Sequence, residues 1–173
     1  MATNWPIFGG EPNKTTMTNT SDSPGVYIPP PLFYILIFLA AIFIQRKFPI
    51  TDSFFHMQMA KLVGTLFIVT ALLFMATSLR KFIQSRNTLI LFKPASSLQT
   101  KGVYGISRNP MYLGLGMLYL GLTCLIGNWW NILLLPFLFL ILQEYIIKKE
   151  EKYLQRAFGE EYLLYSSKVR RWL

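Results

Sequence analysis

The sequence predicts an all-α fold: a polytopic membrane helical bundle of about four transmembrane helices, with a cytoplasmic carboxyl-terminal amphipathic helix. Three observations carry that expectation. Apolar residues make up 53% of the 173-residue chain and aromatics 16%, and mean hydropathy is positive, beyond what a soluble domain of this length ordinarily holds. Those residues gather into four stretches close to the length that crosses a hydrocarbon core. The basic residues behind the net charge of +9 sit between the stretches, as the positive-inside rule requires.

Residues 1–25 are polar, rich in Thr, Asn, Ser, Gly and Pro. They lack the basic start and cleavage pattern of a secretory leader, and read as a flexible tail. Residues 26–173 are expected to form one membrane domain. Its first apolar stretch covers 31–44, extendable upstream through Val26. Pro29, Pro30 and Pro31 have no backbone donors and mark its start, which leaves a short span; three spans are the alternative. The second stretch is 62–79, the third 111–127 and the fourth 129–147. Only Asn128 separates the last two, so they are expected to form a tight helical hairpin. Cys124 is alone, which excludes a disulfide within the chain, and in an apolar run it reads as a buried inert thiol. His56 reads as an interfacial residue without Cys, Asp or Glu partners at metal spacing, and no metal site is expected.

A net charge of +9 suits nucleic acid, but its placement argues for topology instead. The 80–108 connection holds Arg80, Lys81, Arg86, Lys93, Lys101 and Arg108 and no acid, while seven more Lys and Arg follow from Lys148. With both segments cytoplasmic, Lys14 is also inside and only Arg46, Lys47 and Lys61 are outside, a 14 to 3 division. The charge then orients the chain and attracts anionic lipid, and no nucleic-acid partner is expected. The host membrane would be the plasma membrane in a prokaryote or the endoplasmic reticulum in a eukaryote.

Polar residues crowd the inner ends of the last two stretches, in SSLQTKGVYGISRNPMYLG (96–114) and EEKYLQRAFGEEYLLYSSKVRRWL (150–173). The hairpin should bring the Arg108 and Glu150 regions face to face. Within them stand Gly102-Val103-Tyr104, then Arg108-Asn109-Pro110-Met111-Tyr112-Leu113-Gly114, then E-E-x-x-L-x-x-x-F-G-x-x-Y-x-x-Y from Glu150 to Tyr165. Over residues 86–173 this resembles the isoprenylcysteine carboxyl methyltransferase and phospholipid N-methyltransferase superfamily of integral-membrane enzymes, whose members carry R-H-P-x-Y-x-G at the second of these places.

The resemblance implies an S-adenosylmethionine-dependent methyltransferase acting on a membrane lipid or other hydrophobic small molecule. Its cofactor would contact Ser96, Ser97, Leu98, Gln99, Tyr104, Asn109, Pro110, Met111, Tyr112 and Glu150. The residue types suit that ligand: Arg108 and Glu150 match the two charges of its amino acid end, and Tyr104 and Tyr112 offer aromatic faces to its sulfonium. Asn109 stands where many members have His and cannot carry a proton near pH 7, which excludes a titrating role there. No catalytic residue is assigned, because in-line attack on a sulfonium methyl group needs mainly positioning and desolvation.

Structural readings stand beside these. Pro110 fits the first turn of a helix capped by Asn109, and Gly114 and Gly116 suit close helix packing. Tyr162, Tyr165, Val169 and Trp172 recur at helical spacing, the pattern of an amphipathic helix on the membrane surface rather than an aromatic cage. Glu144, an acid in an apolar span, reads either as a substrate residue or as the partner of Lys148 one turn later. Ile146 takes the position at which members that methylate isoprenylcysteine carboxylates place Arg. That favours an uncharged or amine-bearing acceptor over a carboxylate. Protein-S-isoprenylcysteine carboxyl O-methylation is the nearest alternative; an NADPH-dependent sterol-reductase-like enzyme and a non-catalytic scaffold represent other classes.

Overall fold

The computed structural model describes residues 25–84 and 97–173, apart from the side chains of 81–84. The amino-terminal tail, Ser96, and the basic residues Lys14, Arg86 and Lys93 lie outside the described residues. Every regular element among the described residues is helical.

Helix α1 (Pro30–Lys47) opens with prolines in its first two positions, where a helix has no use for the missing N–H. The proline cluster therefore starts the helix without truncating it, and its 18 residues reach about 27 Å. A short α2 (Ser53–His56) leads into α3 (Gln58–Gln84). After a single 3₁₀ turn (Gly102–Gly105) comes α4 (Pro110–Ile126), an apolar helix of 17 residues at the lower edge of the crossing range. Helix α5 (Trp129–Ile141) then runs through a π-helical turn (Leu142–Ile147) straight into α6 (Lys148–Lys168). That helix is continuous, and the end of its apolar part is marked by the charged run of residues 148–152. Helices α1, α3 and the α5–α6 helix are long and apolar enough to cross a membrane.

Packing is set by small residues. Helix α4 lies along α3, and α5 against α1. A Cβ on Gly121 would fall 2.6 Å from Ile68 Cγ1 and 2.8 Å from the Gly64 carbonyl oxygen, and one on Gly64 would fall 2.8 Å from Cys124 Cβ. The two backbones touch there, the arrangement that substitutes for a hydrophobic driving force inside lipid. Gly114 and Gly116 do what was expected of them, against Met75 and the Phe139 ring. The core gathers Val26, Tyr34, Tyr119, Leu138, Leu142 and Ile146.

Hydrogen bonds identify the two ends of the bundle. At one, Gly127 (φ 75°) and Asn128 make the turn, and the Asn128 side chain accepts from the Trp130 amide at 2.9 Å. The Trp129 and Trp130 indoles donate to the Thr51 and Phe48 carbonyls at 3.1 and 2.8 Å, fastening the α1–α3 connection to the hairpin. At the other end the Tyr34 hydroxyl donates to the Tyr112 carbonyl at 2.7 Å. Consecutive long helices thus alternate in direction. His56 departs from expectation: its Nε2 lies 3.3 Å from Asp52, one helical turn earlier and also exposed. No group of three metal-ligating side chains is placed together among the described residues.

Candidate functional site

The end of the bundle opposite Asn128 is assembled from three segments: the loop before α4, the first two turns of α6, and the chain after Lys168. Tyr104, in the 3₁₀ turn, is held from both sides. Its hydroxyl accepts from Ser78 of α3 at 3.1 Å, and its carbonyl accepts from the Tyr165 hydroxyl at 2.7 Å. Burial raises its phenol above the ordinary range.

Arg108 follows. One terminal nitrogen lies 3.3 Å from Glu151 and the other donates to the Tyr162 hydroxyl at 3.2 Å, while the buried Nε has no hydrogen-bond partner. Glu151 is also gripped by Arg171 through two parallel bonds of 2.9 and 2.6 Å, the fork geometry that guanidinium and carboxylate share. One helical residue earlier, Glu150 accepts a 2.6 Å bond from the Tyr112 hydroxyl. Burial pushes its carboxyl up to about 7; the Tyr112 bond works against this, and the neighbouring Glu151 charge adds to it.

The chain end completes the arrangement. The Arg108 amide donates to the Arg170 carbonyl at 3.0 Å, and the Arg171 carbonyl accepts from Asn109 Nδ2 at 2.9 Å and Ser107 Oγ at 3.2 Å. Tyr162, Tyr165 and Val169 are buried beside Leu98, Leu154 and Phe158. What turns them inward is Gly159, whose φ of 52° and ψ of −124° break α6 in a region that side chains other than glycine's rarely adopt.

Most residues read from the sequence do converge. Ser97, Leu98, Gln99, Tyr104, Arg108, Asn109, Pro110, Met111, Tyr112 and Glu150 belong to this end, with Gln99 donating to Ser97 at 3.0 Å and Pro110 buried in the first turn of α4. Three expectations change, and Glu144 takes the second of its two readings. Asn109 occupies the cap position, but its side chain makes no cap bond and binds the Arg171 carbonyl. Glu144 is exposed and paired with Lys148 at 2.6 Å, so the structure does not bring it to the cluster. Ile146 is wholly buried in the core against which Tyr112 packs, beneath the site. The Tyr162, Tyr165 and Val169 face, read as lying on the membrane surface, turns into the protein, where Arg108 and the Tyr104 carbonyl provide the polar partners that hydrocarbon lacks; Trp172 packs edge-on against Phe139.

Sequence reasoning missed Glu151 and Arg171 as site residues. Glu151 was visible as the second acid of the Glu-Glu pair, but no local spacing links it to an arginine twenty residues on.

A zwitterionic ligand fits these groups. Arg108 Nε is a buried donor in need of an acceptor, and Glu150 is a buried carboxyl on which the neighbouring Glu151 acts with a charge of the same sign. An uncharacterized protein of Haemophilus influenzae is 39% identical over 66 residues, which is 36% of this chain and the whole of that protein. No solved structure matches the chain. The phospholipid methyltransferase family profile matches residues 59–161, from the first turn of α3 to just past the Gly159 break. With more than half its length matched, the chain belongs to the phospholipid methyltransferase family.

Proposed function

We propose that this membrane protein transfers the methyl group of S-adenosylmethionine to an uncharged or amine group of a bilayer-soluble acceptor, at the cytoplasmic end of the bundle. The observations that carry the reading are Arg108 Nε, buried without an acceptor, and the Glu150 carboxyl, held by the Tyr112 hydroxyl, at the same end of the bundle. A cation and an acid there suit the carboxylate and ammonium of an amino acid. The 14 to 3 division of basic residues supports the cytoplasmic orientation.

The bound cofactor would supply an electrophilic methyl group on a sulfonium. The chain's own residues position and shield. Arg108 would hold the cofactor's carboxylate and Glu150 its ammonium, with Glu150 oriented by the Tyr112 hydroxyl. Tyr104, Tyr162 and Tyr165 close the site against water, and an apolar surround strengthens every charge interaction inside. Ile146, buried and apolar beneath Tyr112, provides no cation for a carboxylate acceptor. An unpaired carboxylate there would cost several kcal/mol, and a neutral or amine group does not carry that cost.

Incubating membranes that contain the protein with methyl-labelled S-adenosylmethionine tests this reading. The expected product is an organic-extractable, base-stable species. A base-labile methyl ester on a prenylcysteine as the dominant product overturns the acceptor class, and tight NADPH binding without S-adenosylhomocysteine binding overturns the reaction.

A further inference from the structure

Arg171 lies in the irregular segment after α6. Here it makes four hydrogen bonds with two parts of itself. Its carbonyl accepts from Ser107 and Asn109 of the loop before α4, and its guanidinium forks onto Glu151 of α6. One residue therefore ties together the two segments that carry Arg108 and Glu150.

The distances around Glu151 say more. Arg171 lies 2.9 Å from Oε1 and 2.6 Å from Oε2, so it holds the two-oxygen edge of the carboxylate and shares Oε1 with Arg108. Arg108 reaches the same carboxylate with one terminal nitrogen, at 3.3 Å, and keeps its Nε without a partner. Were Arg171 absent, Glu151 would be a half-buried carboxylate with one arginine beside it, and the fork geometry would favour Arg108 turning Nε onto it. We infer that Arg171 is a positioning residue: by occupying the edge of Glu151 that takes a fork it limits Arg108 to one contact with that acid, and so keeps Arg108 Nε available for an anionic group of the ligand. This rests on the reading of Arg108 and Glu150 as the cofactor's charge partners.

The test is a set of variants in detergent, with S-adenosylhomocysteine affinity measured by calorimetry and folding checked by thermal melting. Arg171→Ala keeps the backbone carbonyl and removes only the guanidinium, and should weaken affinity about tenfold to a hundredfold, the range of a charge-assisted hydrogen bond. Adding Glu151→Gln to Arg171→Ala removes the acid onto which Arg108 would turn, and should recover a part of the lost affinity; a purely structural tie predicts a double variant no better than the single. Arg171→Lys, which offers one point contact for a fork, should fall between wild type and alanine, and serves if the alanine variant does not fold. Wild-type affinity in the alanine or lysine variant, or a double variant as weak as the single, overturns the inference. Hydrogen exchange at the Arg108 amide, bonded to the Arg170 carbonyl, separates the two levels of the argument. It should quicken in Arg171→Ala with or without ligand, and unchanged exchange there overturns the tie. A wild-type protein that binds no S-adenosylhomocysteine instead overturns the cofactor reading.

Discussion

The two ends of the α4–α5 hairpin are built from different chemistry. At the Asn128 end the bonds that hold the turn join neutral groups, namely tryptophan indoles, asparagine amides and backbone carbonyls, with Tyr119 donating to Asn131 at 2.9 Å, while the Asp52–His56 pair nearby stays solvent-accessible. At the Arg108 end two arginines and two glutamates are crowded together, each mostly or half buried. Neutral bonds hold a turn at a net gain of about 1 kcal/mol each. Buried charges seldom stabilise more than apolar packing would, so their concentration at one end needs another reason, and ligand binding provides one. Even the unmet groups differ. Asn131 Nδ2 is a neutral donor without a partner, whereas Arg108 Nε belongs to a full positive charge.

The comparison breaks if disabling the charged end leaves the protein unaffected. The largest effect is expected from Glu151→Ala, which strips the shared acid from both Arg108 and Arg171. Leaving buried charges uncompensated costs about 3 to 5 kcal/mol, which thermal melting of the ligand-free protein in detergent should register as a clear drop. A melting point equal to wild type would mean that the cluster is merely solvated.

Glu150 sharpens the contrast through pH. Its carboxyl is raised to about 7 in the fold, so the protonated and ionised forms exchange near neutral pH. The contribution of the protonated form to stability is complete below the ordinary carboxylate value of about 4.3 and is lost as pH rises through the folded value. Binding of a cationic group has the opposite sign, because it needs the ionised carboxylate. Affinity for S-adenosylhomocysteine should therefore climb as pH is raised through about 7. Glu150→Gln should weaken binding about tenfold to a hundredfold and flatten that dependence, whereas Glu160→Gln, on the exposed face beyond the Gly159 break, should match wild type. Equal pH profiles for wild type and Glu150→Gln would remove Glu150 from the site.

The smallest effect belongs to the neutral end. Trp129→Phe deletes one indole bond to the Thr51 carbonyl and should cost about 1 kcal/mol, with ligand affinity unchanged. A loss of affinity there would mean that the ends are coupled and the contrast between them false.

The bundle was largely legible because hydropathy and proline placement act locally. The four stretches, the helix start at Pro30 and the turn at Asn128 depend on residues within a few positions of one another. The charged end was legible in part. Arg108, Tyr112 and Glu150 stood out through their motifs, but the Glu151–Arg171 fork joins residues on either side of the Gly159 break, and no periodicity crosses such a break. Gly64, the partner of Gly121, passed unnoticed because one small residue in an apolar run has no signal until its neighbour is known. Glu144 and Ile146 occupy a π-helical turn, where the count of about 100° per residue fails, and no residue in the run marks that turn in advance.

That turn has a consequence of its own. It works as a phase shifter in one long helix, inserting an extra residue between an apolar segment keyed to α1 and a charged segment keyed to the loop before α4. The bearing of Glu150 and Glu151 can thus be set without re-cutting the core face of α5. Deleting a single residue between 142 and 147 would restore plain α-helical phase and rotate everything beyond it by about 100°, carrying Glu150 away from Tyr112 while Leu138 keeps its place.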